Sequence, residues 1–306
     1  MKYGMSIVVR GDGASRDTFN QMADKAEACG LDTLWASDHL IMPGLRVSRY
    51  PGRADGQLPD GWKRTYYQPF SVLNYLAART RRVRLGTSVL ILPMRNPIEA
   101  AAQVAELDQL SDGRVNFGVG VGWFREEFEA LGYSFENRGA RADEGLAIIK
   151  ALWTQESTSV DGPTYRFTDA RMGPKPVQRP HPPIYIGGNT PAAMRRAARY
   201  GDAWHPFKVT PQGIAELRPA LRAALEAEGR SARGFPVAPK VVLAFQDTPP
   251  RDGQAPTEGR PQDVIDALRR FRDAGATEFC FDIATETLGV ALDTLDRFAN
   301  EVRPNV

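Results

Sequence analysis

The stretch that decides the fold is Val83-Arg84-Leu85-Gly86-Thr87-Ser88-Val89-Leu90-Ile91-Leu92, followed by Pro97–Leu110 and then by Val115-Asn116-Phe117-Gly118-Val119-Gly120. Two short apolar runs flank an amphipathic segment of helical length, and Pro97 suits the first turn of that helix. This is a strand, a helix and a second strand: the βαβ unit of a parallel sheet.

The same unit recurs on both sides. Toward the N-terminus, strands are predicted over Tyr3–Val9 and Leu31–Ala36, with helices over Ser15–Cys29, stopped by Gly30, and Phe70–Arg79. Toward the C-terminus, strands are predicted over Ile184–Gly187, Ala203–His205, Val237–Phe245 and Glu278–Ile283. Their helices are Pro191–Tyr200, Gln212–Glu228, Pro261–Ala274 and Leu288–Val302, and the helical matter after Gly120 runs from Trp123 to Trp153 with a break near 132–139. Eight strands, each followed by helix, predict one (β/α)8-barrel domain over residues 1–306, with its active site at the C-terminal ends of the strands. An open doubly wound sheet is the alternative, but eight regular units over this length favour closure.

Composition narrows the function classes. The 306 residues carry 39 basic and 37 acidic side chains, a net charge of +2, which argues against nucleic acid or an anionic membrane surface as partner. The basic cluster Arg79, Arg81, Arg82 and Arg84 falls where a helix should end, a place that favours cations. Cys29 and Cys280 are isolated and read as packing residues rather than a disulfide or metal pair. The apolar N-terminal stretch is too short for a signal peptide, and no run approaches a membrane span of roughly 18 residues. The expectation is a soluble, cytoplasmic protein acting on a small molecule.

Three segments are longer than ordinary connections: 41–68, 156–183 and 247–260. The first carries Tyr50, Trp62, Tyr66 and Tyr67, and it leaves a strand C-terminus, as the third does. Both are candidate lids, the third being the more mobile, with Trp62, Tyr66 and Tyr67 shaping a substrate pocket.

Three local signals carry chemistry. In Trp35-Ala36-Ser37-Asp38-His39 the imidazole stands at a strand's C-terminal lip, where it can act as general acid or base. His205 also lies at a strand end, as pocket wall or structural hydrogen-bonder, whereas His181 precedes a strand on the stability face. Gly187-Gly188-Asn189-Thr190-Pro191 reads as a capped βα turn or as an anion site at a helix N-terminus. Gly118-Val119-Gly120-Val121-Gly122-Trp123 fails the dinucleotide fingerprint, because Trp123 occupies the third glycine position. It reads instead as a strand end cleared for a flat ligand. No metal spacing and no nucleophile elbow occur, and no catalytic lysine or acid pair stands out at a strand end.

Taken in order, Trp35–His39, Leu85–Pro93, Leu107–Arg114, Gly118–Gly122, Pro174–Pro180 and Ile186–Gly188 resemble the bacterial luciferase-like flavin oxidoreductase superfamily. The run Gly122–Phe128 with Gly201–Trp204 is most similar to its subfamily that uses coenzyme F420. The resemblance implies a barrel holding F420, or alternatively FMN, over its mouth. It implies a non-proline cis peptide at Ser88-Val89 that bulges toward the ring, His39 near the reacting edge, and Asp38 beside the cofactor. Thr87, Ser88, Val89, Gly122 and Trp123 would then line the ring, and Gly187, Gly188, Asn189 and Thr190 would approach the phosphate. The activity implied is hydride transfer between F420 and a small organic substrate. The alternatives are an FMN monooxygenase fed by a partner reductase and a flavin-binding barrel without turnover. The family is commonly dimeric, so a homodimer is expected. Where relatives have reactive or acidic residues after the fourth strand, this chain has Gly120 and Trp123, so neither luminescence nor sugar oxidation carries over.

Overall fold

A computed structural model describes residues 1–44, 46–53, 55–58, 65–283 and 287–306. In chain order the elements are β1 (Lys2–Ser6), α1 (Arg16–Ala28), β2 (Thr33–Ala36), α2 (Pro69–Arg79), β3 (Arg84–Thr87), β4 (Leu90–Ile91), α3 (Pro97–Leu110) and β5 (Val115–Gly120). There follow α4 (Arg125–Ala130), α5 (Arg138–Thr154), β6 (Thr158–Asp161), β7 (Arg166–Ala170), β8 (Ile184–Gly187), α6 (Pro191–Tyr200) and β9 (Ala203–His205). The last are α7 (Pro211–Ala227), β10 (Lys240–Val242), β11 (Ala244–Phe245), β12 (Glu258–Gly259), α8 (Pro261–Asp273), β13 (Glu278–Asp282) and α9 (Leu288–Arg297).

The main sheet is parallel and runs β10-β13-β1-β2-β3-β5-β8-β9, with β4 continuing the β3 position against β5. Parallel bridges from Trp204 to Val237 and from Phe207 to Lys240 join its two ends. The sheet is therefore a closed barrel, with the helices outside it.

Local chemistry explains the helices. Ser15 caps α1 by accepting from Thr18 N at 3.1 Å, and the helix buries Phe19, Met22, Ala23 and Ala26 at 3- and 4-residue spacing. Asn96, Thr190 and Thr210 cap α3, α6 and α7, each followed by proline at the first turn. The Ser111-Asp112-Gly113-Arg114 turn serves the stability face. The Arg114 guanidinium there donates to the carbonyls of Ala77, Thr80, Val83 and Ser111, tying the end of α2 to β5. The basic cluster lies nearby, with Arg79 on Asp24 and Arg82 on Glu27.

Side chains alternate in and out along each barrel strand. The lower interior layer is Trp35, Tyr185, Ala203, Ala238 and Cys280, all buried. Trp35 stacks on the imidazole of His205 with centroids 5.3 Å apart, and it fills space that a side chain at position 86 would take, since a Cβ on Gly86 would run into its ring. Two residues further along the same strands comes the next inward layer, Ser37, Gly187, His205, Lys240 and Asp282, which lines the pocket at the barrel mouth.

Several boundaries differ from the sequence expectation; the first strand, for one, ends at Ser6 rather than Val9. The third predicted strand is interrupted at Ser88-Val89, whose peptide is cis, so it becomes β3 and β4. The seventh begins as a regular ladder at Lys240 rather than Val237, because Val237 makes only an isolated bridge to Trp204. The segment 156–183, read as an insertion longer than an ordinary connection, contains the antiparallel hairpin β6–β7, and 247–260 contributes β12, which pairs β11.

Candidate active site

The pocket at the barrel mouth encloses about 270 Å³ and is walled by the ends of β1, β2, β4, β5, β8, β9, β10 and β13. His39 lines it just past the end of β2. The imidazole Nδ1 lies 2.6 Å from Glu127 Oε2, and both groups are buried. The other carboxylate oxygen, Oε1, accepts from Leu40 N at 2.6 Å and Ile41 N at 3.3 Å. With Glu127 ionised, Nδ1 must donate, which leaves Nε2 as the ring nitrogen without a protein hydrogen bond among the described residues. The rings of Tyr66, Trp123 and Phe124 stand edge-on to His39, with centroids 5.2, 6.0 and 6.3 Å away.

Asp38 does different work. Its carboxylate is fully buried and takes Arg95 as a fork, Nη2 at 2.5 Å and Nε at 3.1 Å, while also accepting from Ile91 N at 2.9 Å. It thereby pins the chain just after the cis peptide. Arg95 also donates to Gln68, whose amide donates to the His39 carbonyl, so one network fixes the bulge and the histidine backbone together.

The floor is the Ser88-Val89 bulge. A Cβ on Gly120 would stand 2.5 Å from Val89 Cγ2, and one on Gly118 would run into the Thr87 carbonyl, so only glycines let β5 pass beside the bulge. Thr87 is buried behind it, donating to Gly118 O at 2.6 Å. Ser88 Oγ lies 2.8 Å from His205 Nε2, and His205 Nδ1 donates to the Ala238 carbonyl at 2.5 Å. That bond fixes Nε2 as acceptor, and burial holds the imidazole down to about 4. His205 is thus both wall and hydrogen-bonder. Beneath it, burial pushes the Cys280 thiol up, which makes it packing rather than a nucleophile.

On the opposite wall Arg10 lies 3.5 Å from Asp282 and donates to Ser37 Oγ, which lies 2.6 Å from the Tyr66 hydroxyl. Burial holds that hydroxyl up at about 12. Burial also pushes the Asp282 carboxyl up, but Lys240, Arg10 and Lys208 outweigh it and the net direction is down.

Of the residues singled out in sequence, Asp38, His39, Tyr66, Ser88, Val89, Gly122, Trp123, Gly187, Gly188 and His205 meet at this pocket. Asn189 and Thr190 stand behind its rim. Asn189 exchanges two hydrogen bonds with the Phe207 backbone, and Thr190 caps α6 through Ala193 N. Tyr67 is a correction. Tyr66 bridges Arg10, so the next side chain points to the other face, and Tyr67 packs edge-on against Phe19 outside the pocket. Trp62 lies outside the described residues.

Sequence reading missed Glu127, Arg10, Lys240 and Asp282, the last two of which stand at strand ends in the pocket wall. Strand parity was the available signal: counting two residues on from Ala238 and Cys280 reaches Lys240 and Asp282. Glu127 had no such signal, since Glu126-Glu127 in a first helical turn is what the helix dipole alone would favour.

Among the described residues no group of three or more His, Cys, Asp or Glu side chains is arranged to hold a metal, and no helix is long and apolar enough to cross a membrane. The family model described as luciferase-like monooxygenase matches residues 1–251. An uncharacterized protein of Mycobacterium tuberculosis is 31% identical over 302 residues, covering 98% of both chains. An F420-dependent glucose-6-phosphate dehydrogenase of Kineococcus radiotolerans is 34% identical over 237 residues, 74% of this chain and 64% of that one. An FMNH(2)-dependent dimethylsulfone monooxygenase of Pseudomonas putida is 34% identical over 170 residues, 55% of this chain and 47% of that one. With a matched family model over most of its length and a closed parallel barrel, the chain belongs to the luciferase-like monooxygenase family.

Proposed function

We propose that this protein is an F420-dependent oxidoreductase that moves hydride between the deazaflavin and a small organic substrate. The observation that carries the proposal is the buried His39–Glu127 pair, which leaves one imidazole nitrogen toward a pocket floored by the Ser88-Val89 bulge.

The residues present fit a planar ring. The wall formed by Val89, Gly120, Val121, Gly187 and Gly188 has no titratable side chain, and the glycines there leave a surface that any Cβ would roughen. Ser88, Val89, Gly122 and Trp123 would hold the ring, with Thr87 and Asp38 fixing the bulge from behind. Gly187, Gly188, Asn189 and Thr190 would approach the phosphate. When bound, F420 supplies a carbon hydride donor or acceptor where FMN has a nitrogen.

The chain's own part is proton handling and exclusion of water. His39 Nε2 takes up or gives the proton that accompanies hydride movement, and Glu127 stabilises the imidazolium and fixes the tautomer. Tyr66 and Trp123 stand edge-on to the His39 ring, and Tyr50 packs on Trp123 with centroids 5.4 Å apart. A homodimer is the proposed assembly.

Likeness to the F420-dependent dehydrogenase over 74% of the chain supports the choice of cofactor. Likeness to the FMNH(2)-dependent monooxygenase keeps a second reading: FMN chemistry with oxygen, supplied by a reductase partner. The test is His39→Ala assayed for F420 binding, turnover and oxygen uptake. Cofactor binding is expected to stay intact while turnover falls by roughly 10²–10⁴-fold. An unchanged rate removes His39 from the mechanism, and oxygen uptake coupled to substrate replaces F420 with FMN.

A further inference from the structure

We propose that the substrate is an anion, whose compact oxyanion group, carboxylate or phosphoryl, is received by Lys240 with Arg10 beside it. The inference rests on the ring-binding reading of the neutral wall and names the substrate class of the same site.

The pocket wall divides by charge. The strands β10, β13 and β1 are neighbours in the barrel and bring Lys240, Asp282 and Arg10 to one arc. The facing arc, from Val89 to Gly188, carries none. A flat ring packs against the smooth second arc, which leaves the first to face whatever reacts with it.

Within the charged arc Lys240 is the cation whose ammonium meets no acid among the described residues. Lys240 is only 7% exposed, yet among the described residues no carboxylate comes within ion-pair reach of its ammonium, which donates no hydrogen bond there. Asp282 feels Lys240 through space, but it already pairs with Arg10 and also feels Lys208, whose own ammonium is held by the Gly52 carbonyl. Asp282, paired with Arg10, is therefore not committed to Lys240. A buried ammonium is strongly disfavoured unless a charge or hydrogen bond answers it, and the open side of Lys240 is the pocket. Its inward direction follows from the ladder: it pairs in register with Cys280, whose side chain faces the barrel interior, and it lines the pocket together with Asp282.

One other source of the same chemistry is the cofactor's phosphate, and the experiment separates the two. Thermal unfolding of the full chain without cofactor is followed with benzoate and with the neutral benzamide at constant ionic strength, and F420 binding is measured separately. Benzoate should raise the midpoint and benzamide should not. Lys240→Met should weaken benzoate by at least about tenfold, the worth of one charge-assisted hydrogen bond, and leave F420 binding within twofold. Lys240→Gln runs in parallel, so that a Met variant that fails to fold does not end the test. Equal response to benzamide, or benzoate binding unchanged in both variants, overturns the proposal. Loss of F420 binding in place of benzoate binding also overturns it and gives the arc to the cofactor. If wild-type protein binds no F420 while benzoate still depends on Lys240, the cofactor reading falls and the anion site stands.

Discussion

Replacing Glu127 by Gln changes one atom and should disable His39. In the native site Glu127 Oε1 is committed to Leu40 N and Ile41 N, and Oε2 accepts from His39 Nδ1 at 2.6 Å. A glutamine can keep the two backbone bonds only by placing its oxygen there, which turns its NH2 toward Nδ1. Nδ1 must then accept, so the ring proton moves to Nε2 and the nitrogen facing the pocket can no longer take a proton. Flipping the amide instead sets NH2 against two backbone N–H groups. The imidazolium also loses a buried charge-assisted hydrogen bond, about 1.5–3 kcal/mol, which alone is roughly 10–150-fold in rate. With the wrong tautomer added, a loss of about 10³-fold in kcat is expected, with KM nearly unchanged. The assay is turnover together with 15N NMR of the His39 ring, which reads the tautomer without any substrate. A variant that keeps the Nδ1–H tautomer and turns over within threefold of wild type refutes the role given to Glu127.

Other outcomes follow from the same geometry. Asp38→Asn should cost about 3–5 kcal/mol in urea unfolding, because it leaves Arg95 facing a buried neutral amide; a loss below about 1 kcal/mol would show that the fork does not hold the bulge. Gly120→Ala forces a Cβ to within 2.5 Å of Val89 Cγ2, so F420 affinity should fall at least tenfold in a protein that still folds, and unchanged affinity removes the bulge from the ring surface. His205 is a base held down to about 4, so the unfolded chain binds more protons than the native one between about pH 4 and 6.5, and stability must rise with pH across that window. The contribution is at most about 3 kcal/mol, and comparing unfolding at the two ends should show a smaller difference in His205→Gln.

Much of the barrel was legible because its signal is local. Short apolar runs, capped helices and prolines at first turns are each set by neighbours in sequence, and they place β5, α3 and α6 to the residue or nearly so. The errors fall where tertiary contacts decide. Nothing local distinguishes Val237 in a bridge from Lys240 in a ladder, and the β6–β7 hairpin is a two-strand excursion outside the barrel. At the site, His39 and Gly187 stand at strand ends, where a barrel puts function. Glu127 lies 88 residues from His39 and reaches it only because the turn after β5 folds α4 over the mouth. Tyr67 looked equivalent to Tyr66, but the alternation of an extended backbone sends the two to opposite faces.

The most direct test of the central claim is equilibrium binding of the purified apoprotein to F420 and to FMN, side by side, by fluorescence or absorbance. The account predicts clear preference for F420. Preference for FMN would contradict it and make oxygen chemistry the working model, and binding of neither would undo the assignment of His39, the Ser88-Val89 bulge and the Gly187-Gly188 turn to a cofactor site.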